Sequence, residues 1–157
     1  MRWQTTIRRA RAADVGAISA LVNGFAAEDV MLPRTPDQVA LAVDDYVVAA
    51  DAHGRVLACG ALREYSPSLA ELVSLAVARE AHGRGLGRLI VAAVERLAVA
   101  RGFTSVFAHT LAPAFFENVG YAEVDRGVYP EKCARPHTTC LRRSLTAHDA
   151  GALAAAA

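Results

Sequence analysis

The feature that most constrains this chain is the stretch SLAVAREAHGRGLGRLIVAAVERLA, where an apolar run meets a glycine-rich loop and then an amphipathic helix. Gly83, Gly85 and Gly87 allow a sharp turn and let backbone N–H groups approach a ligand closely. The first turn of a helix leaves N–H donors unpaired and carries partial positive charge. The loop therefore predicts a site for a phosphate or pyrophosphate.

Other known phosphate-binding loops match this stretch less well. A Walker loop ends in Gly-Lys followed by Ser or Thr, whereas Arg88 follows Gly87 here. A dinucleotide fingerprint has the spacing G-x-G-x-x-G after an early strand, whereas this loop reads G-x-G-x-G in mid-chain. A strand-to-helix turn without a ligand is the remaining alternative, but the glycines together with Arg84 and Arg88 exceed what such a turn needs.

Hydrophobic periodicity predicts an α+β fold with the order β-α-α-β-β-β-α-β-α-β-β. The strands are expected at 5–8, 46–50, 55–65, 69–77, 105–109, 121–124 and 138–142. The helices are expected from residue 14, at 36–44, behind the glycine loop as far as Arg101, and at 113–119. Short turns between the strands from 46 to 77 predict an antiparallel meander, so the sheet is mixed, with parallel pairing around the long helix.

Length and charge narrow the class of protein. A chain of 157 residues fits one domain, expected at 1–145, with an alanine-rich tail at 146–157. The net charge of +1 gives no electrostatic reason to expect nucleic acid or an anionic membrane as partner. The N-terminal residues lack the apolar run of a signal peptide, and charges interrupt the longer apolar stretches. We therefore expect a cytoplasmic protein.

The cysteines predict neither a disulfide scaffold nor a metal site. An odd, sparse set of three suits a reducing compartment. Cys133, His137 and Cys140 lie close in sequence, but no fourth ligand and no usual zinc spacing accompany them, so no metal is expected. Cys59 lies within a predicted strand and is expected to be a small buried residue.

The segment AREAHGRGLGRLI resembles the acyl-CoA signature Q/R-x-x-G-x-G/A of the GNAT acetyltransferases. The match runs from His82 through Gly85 to Gly87, and His82 departs from the Gln or Arg that the family usually has. The resemblance covers residues 5–144 and implies a mostly antiparallel mixed sheet flanked by helices. It also implies acetyl-CoA as the acyl donor.

The resemblance further implies how the cofactor is held. The diphosphate would rest on the N–H groups of residues 83–88, and the pantetheine arm would follow the strand at 72–77. A backbone N–H near Leu75 would polarise the thioester carbonyl. The implied cofactor-binding residues are Leu75, Ala76, Val77, His82, Gly83, Arg84, Gly85, Leu86, Gly87, Arg88, Thr110, Phe115 and Phe116.

A narrower resemblance concerns the acceptor. Four segments, MLPRT, LAELVSLAV, FAHTLAPAFFENVGY and YPEKCARPHTTC, are similar to the short stand-alone bacterial form of N-acetylglutamate synthase. This implies acetyl transfer to the α-amine of glutamate in arginine biosynthesis, with glutamine or a related amino acid left open. A homodimer also fits the superfamily, although nothing in the sequence marks an interface.

Glutamate carries two carboxylates, so its site needs cations or N–H donors. Arg34 lies just before a predicted helix N-terminus, a favourable position for a carboxylate. By resemblance, Arg34, Arg63 and Arg135 fall near substrate-binding positions. A solvated surface role remains equally compatible with Arg63 and Arg135.

Glu71 is the predicted general base. It interrupts an apolar strand and, by resemblance, matches a glutamate that would deprotonate the amine through a water. The alternative is an ordinary half-exposed strand glutamate. Phe116 occupies the position where many family members carry a tyrosine acid, so the thiolate is expected to leave unassisted or with water, and no covalent intermediate is implied.

Two other functions remain open at this point. The same chemistry can serve another amino acid, a small amine, an antibiotic or a protein N-terminus. Alternatively, the chain is an acyl-CoA-binding regulatory module without turnover. A bare structural domain would leave the glycine loop and Glu71 unexplained.

Overall fold

The structure is a computed structural model that describes residues 4–129 and 137–145. Within these residues the strands and α-helices follow the predicted order, which is therefore confirmed. The elements are β1 Thr6–Arg9, α1 Val15–Ala26, α2 Pro36–Leu41, β2 Tyr46–Ala50, β3 Val56–Glu64, β4 Leu69–Val77, α3 Leu86–Ala100, β5 Ser105–Thr110, α4 Pro113–Asn118, β6 Ala122–Val124 and β7 Thr139–Ser144. The predicted tail at 146–157 lies outside the described residues.

The strands form one sheet in the order β1-β2-β3-β4-β5-β7-β6. The pairs β1–β2, β2–β3, β5–β7 and β6–β7 are antiparallel. Strand β4 runs parallel to β5, as expected because α3 provides the crossover between them. The prediction of a mixed, mostly antiparallel sheet is confirmed.

Helix α2 begins as its sequence predicts. The Thr35 side chain accepts a hydrogen bond from the N–H of Gln38 at 3.1 Å, and the Gln38 side chain accepts one from the N–H of Thr35 at 2.9 Å. Pro36 occupies the first helical position, where its missing N–H costs nothing. The helix ends earlier than predicted, at Leu41, and a separate 3₁₀ turn at Val43–Asp45 leads into β2.

The chain divides into two compact units, each built from separated stretches. Among the described residues, the first unit comprises 4–62 and 74–94, and the second comprises 63–73, 95–129 and 137–145. In the first unit, helix α3 packs closely on β3 at Gly60. A Cβ atom at that position would lie 2.6 Å from Cγ2 of Ile90, so only glycine permits this approach.

The buried carboxylate of Asp14 ties β1 to the start of α1. Arg8 donates two hydrogen bonds to it, at 2.7 and 3.0 Å, and the N–H of Arg11 donates a third at 2.8 Å. The guanidinium hydrogen bonds are the main cause that lowers the pKa of Asp14 below its ordinary value of 3.8.

We expect Asp14→Asn to lower the free energy of unfolding by about 2 kcal/mol at pH 7, because it breaks a buried charge-assisted pair. Because the pKa of Asp14 is lower in the folded state, its carboxylate stabilises the fold at pH values above the ordinary pKa of 3.8. This stabilisation is lost as the pH falls below 3.8 toward the folded-state pKa. Urea titrations at pH 7 and pH 3 measure both effects, and the gap between variant and wild type should narrow at pH 3. The exposed Asp37→Asn is the control, and an equal loss there would contradict this assignment.

The cysteines partly contradict the sequence prediction. Cys59 is a buried free thiol, and burial raises its pKa to about 12, so it is not a reactive thiolate. Cys140 is disulfide-bonded, which the prediction of a reducing compartment without a disulfide scaffold did not include. Residue spacing does not reveal which sulfur atoms approach each other in space. Cys133, the other cysteine of the rejected metal pattern, lies outside the described residues.

None of the helices in the described ranges combines the length and the apolar character that crossing a membrane requires.

Candidate functional site

The glycine loop in the first unit has the predicted form. Gly83 and Gly85 have φ angles of 79° and 75°, which favour glycine over other residues. An added Cβ atom would meet nothing within 4 Å at either position, so the backbone conformation, not crowding, requires glycine. Helix α3 begins at Leu86, and its first hydrogen bond runs from the N–H of Leu89 to the carbonyl of Gly85 at 3.2 Å. The loop thus leads directly into the fifteen-residue helix α3.

His82 connects this loop to the end of β4. Its Nε2 atom lies 2.8 Å from the carbonyl oxygen of Val77, and its ring stacks on Phe25 of α1 with centroids 6.4 Å apart. The Arg79 guanidinium covers Phe25 at 5.2 Å from the ring centroid and pairs with Glu28. The residue that departs from the family signature therefore anchors the loop. The sequence does not predict the contact with Phe25, because it depends on how α1 packs.

Strand β4 contains a backbone irregularity at Ser74. This residue has φ of 56°, which is uncommon outside glycine, and the register with β5 runs only from Leu69 to Leu72. Cys59 Sγ donates to the Ser74 carbonyl at 3.3 Å, and the Tyr46 hydroxyl donates to Ser74 Oγ at 3.3 Å. Such outliers cluster at functional sites. Serine gives no sequence signal for this conformation.

The peptide of Arg34 is held firmly on α1. Asn23 accepts a hydrogen bond from the Arg34 N–H at 2.8 Å, and the side chains of Asn23 and Ser19 each donate to the Arg34 carbonyl at 2.8 Å. The guanidinium donates to the Pro33 carbonyl at 2.9 Å. Ser19 and Asn23 are not among the residues predicted from the sequence. The sequence does carry a signal for Ser19, because this polar residue interrupts the apolar helical spacing of Val15, Ile18 and Val22.

Glu71 lies in the second unit and is only 7% exposed. The alternative of a half-exposed strand glutamate is therefore wrong. Its register partner on β5 is Phe107. A buried carboxylate is costly unless it is paired or has a chemical task.

The other predicted residues of the second unit differ in exposure. Arg63 is exposed near the end of β3. The Thr110 hydroxyl oxygen accepts a hydrogen bond from the N–H of Ala112 at 2.9 Å. Phe115 is half-buried, and Phe116 is buried with its ring edge-on to Tyr121 at 5.3 Å. Arg135 lies outside the described residues.

Tyr121 is a buried neighbour of an ion pair. Burial is the main cause that raises its pKa well above the usual range, and the Glu95 carboxylate acts in the same direction. Glu95 pairs with Arg143 at 2.6 Å. The phenol of Tyr121 therefore stays protonated throughout the neutral pH range.

Across residues 4–129 and 137–145, no group of three or more His, Cys, Asp or Glu side chains has an arrangement that could hold a metal ion.

The sequence model of the acetyltransferase (GNAT) family matches residues 16–121 of this chain. The chain belongs to the GNAT acetyltransferase family. An uncharacterized N-acetyltransferase of Chlorobaculum tepidum is 39% identical to this acetyltransferase over 88% of the chain and 89% of the relative. An amino-acid acetyltransferase of Mycobacterium tuberculosis is 33% identical over 76% of the chain and 69% of the relative.

Solved structures agree with this family assignment. A Mycobacterium tuberculosis protein in complex with CoA and a second ligand has a TM-score of 0.80 and 26% identity, covering 90% of this acetyltransferase and 99% of that chain. The N-acetylglutamate synthase of Neisseria gonorrhoeae, complexed with coenzyme A and N-acetyl-glutamate, has a TM-score of 0.82 at 21% identity. The latter match covers 93% of this acetyltransferase but only 36% of the Neisseria chain, and at that identity it shows the fold alone.

Proposed function

We propose that this chain transfers an acetyl group from acetyl-CoA to the α-amine of an amino acid, with L-glutamate as the first acceptor to test. The observation that carries the proposal is the glycine loop at the start of α3, with left-handed Gly83 and Gly85, in a member of the GNAT acetyltransferase family. The M. tuberculosis relative named amino-acid acetyltransferase supports the class of acceptor.

The loop fits a diphosphate. Its glycines lead the chain into the start of α3, whose first N–H groups have no partner within the helix, and an added Cβ atom at Gly83 or Gly85 would meet nothing within 4 Å. The remaining cofactor contacts would come from Leu75–Val77 of β4 and from Thr110, Phe115 and Phe116. When bound, acetyl-CoA supplies a thioester carbonyl that is activated toward an amine.

Two groups on β4 carry the chemistry in this proposal. The Glu71 carboxylate accepts the proton that the ammonium group must lose, directly or through a water. The backbone N–H at Leu75 donates a hydrogen bond to the carbonyl oxygen on which negative charge develops. The irregular backbone at Ser74 changes the direction of the amide groups that follow it. No side chain of the protein forms a covalent bond to the acetyl group.

Arginines would hold the carboxylates of the acceptor. The half-buried Arg34, whose peptide is fixed by Asn23 and Ser19, is the leading candidate, and Arg63 and Arg135 are proposed with it. A guanidinium binds a carboxylate through two parallel hydrogen bonds, which favours acidic amino acids over neutral amines.

The decisive experiment combines binding and turnover. Calorimetry with acetyl-CoA tests the cofactor site, and thiol release with a panel of amino acids, amines and peptides tests the acceptor. We expect acetyl-CoA to bind and glutamate or a close analogue to give the highest kcat/KM. Binding without acetylation of any amine would identify a regulatory module, and preference for an uncharged amine would refute the amino-acid acceptor.

We expect Gly85→Ala to weaken acetyl-CoA binding at least about tenfold, since a left-handed residue other than glycine costs about 1–2 kcal/mol and displaces the N–H groups of the loop. Calorimetry measures the affinity, and thermal melting measures the stability. The matched control is Gly16→Ala on the exposed side of α1, where helix propensity predicts unchanged binding and equal or higher stability. Unchanged affinity in Gly85→Ala would remove this loop as the diphosphate site.

A further inference from the structure

On the strands of the second unit, one face carries Glu71 together with aromatic and polar side chains. The parallel register of β4 and β5 places Glu71 beside Phe107. Paired residues project to the same side of a sheet, and residues two apart along a strand share that side. His109 therefore lies on the same face as Glu71. On β7 its register partner Cys140 continues this face.

Tyr129 covers this face. Its ring stacks on Phe107 with centroids 4.3 Å apart and an interplanar angle of 22°. Tyr65 packs edge-on against both rings, each at 5.3 Å. Tyr129 is only 3% exposed, so aromatic contacts fix its ring next to the direct neighbour of Glu71.

The hydroxyl of Tyr129 is buried, and among residues 4–129 and 137–145 it has no hydrogen-bond partner. Buried hydroxyl groups almost always have partners, and the exceptions call for a specific explanation such as a role in binding or catalysis. The neighbouring His109 is not the partner of this hydroxyl, because its Nε2 atom makes a hydrogen bond with Thr138 Oγ1. The Tyr129 hydroxyl is therefore a donor suited to a ligand on the Glu71 face.

We propose that the Tyr129 hydroxyl donates a hydrogen bond to the α-carboxylate of the amino-acid acceptor. The inference rests on the proposed function, in which Glu71 accepts a proton from the α-ammonium group and so releases the free α-amine. In an α-amino acid the carboxylate is bonded to the carbon that bears the amine, so the two groups must be bound close together. A phenol hydroxyl is a hydrogen-bond donor and a carboxylate oxygen is an acceptor, so the two groups are chemically matched.

This assignment makes Tyr129 a specificity residue. It would favour α-amino acids over amines of the same length that lack the α-carboxylate. The test compares Tyr129→Phe with wild type on two compounds, the best amino-acid acceptor and the amine without its α-carboxylate. For glutamate the second compound is γ-aminobutyrate. Where the amine is not acetylated, its inhibition constant as a competitor of the amino acid replaces its KM.

We expect Tyr129→Phe to raise the KM of the amino acid about 10- to 100-fold, the usual effect of losing a hydrogen bond to a charged group. The KM or inhibition constant of the amine should change less than about twofold, because the amine has no α-carboxylate that could bind the Tyr129 hydroxyl. Acetyl-CoA affinity, measured by calorimetry, should remain that of wild type.

Tyr121→Phe is the matched control, because it removes an equally buried tyrosine hydroxyl beside Glu95. Both variants should melt near the wild-type temperature, and only Tyr129→Phe should affect the amino acid selectively. An unchanged KM, or equal changes for both compounds, would overturn the role of Tyr129. If wild type binds acetyl-CoA but acetylates no α-amino acid, the proposed function itself is wrong, a result that is visible before any variant is made.

Discussion

Replacing Glu71 by Gln should lower kcat about 10²- to 10⁴-fold near neutral pH while acetyl-CoA still binds with wild-type affinity. Gln keeps the shape of the side chain and its hydrogen-bonding atoms but cannot accept the proton of the ammonium group. Because Glu71 is only 7% exposed, bulk water is poorly placed to replace it. Steady-state thiol release measures kcat, and calorimetry measures the binding of acetyl-CoA.

The control for this variant is Glu123→Gln, which removes an exposed carboxylate from β6. Its kcat should match that of wild type. The loss in Glu71→Gln should also diminish as the pH rises, since more of the amine is then already deprotonated in solution. Wild-type turnover in Glu71→Gln, or a loss independent of pH, would exclude Glu71 as the base.

Replacing Arg34 by Ala should raise the KM of an acidic acceptor about 10- to 100-fold, because a carboxylate loses a charge-assisted partner. The KM of acetyl-CoA should change far less. Asn23→Ala keeps the guanidinium but removes two of the hydrogen bonds that hold the Arg34 peptide, so we expect a smaller increase in the same KM. Initial-rate measurements over both substrate concentrations separate the two KM values.

Arg55→Ala is the control for Arg34→Ala, because it also removes one positive charge. Arg55 is exposed and pairs with Glu80, so its removal should leave both KM values near wild type. Equal increases of the acceptor KM and the acetyl-CoA KM in Arg34→Ala would place Arg34 outside the acceptor site. An unaffected Asn23→Ala would show that the clamp on its peptide has no part in substrate binding.

Much of the fold followed from local patterns in the sequence. The capping box at Thr35 and Gln38, the apolar run of β4 and the glycine loop each specify their conformation through neighbouring residues. Such signals depend on few residues at fixed spacing, which is why the order of elements was correct while several element ends shifted. The same reasoning identified Glu71 as a candidate, because a carboxylate stands out within an apolar strand.

The contacts that complete the candidate site were not predictable in this way. Nothing near Tyr129 in sequence indicates that its ring stacks on Phe107, because the two residues are far apart in sequence and meet only when the chain folds. His82 reaches Phe25 through the packing of α1, and the number of cysteines did not indicate the disulfide bond of Cys140. Long-range proximity depends on how the elements pack, which single-sequence periodicity does not encode.

The sequence by itself determined the family signature, the left-handed glycines and the position of an acidic residue in β4, since each depends on backbone preferences or on hydrophobic pattern. Only the tertiary structure decided that Glu71 is buried, that Gly60 is required by the close approach of α3, and that the Tyr129 hydroxyl is buried on the face of Glu71. Burial and partnership are properties of packed surfaces, so they arise only when distant parts of the chain come together.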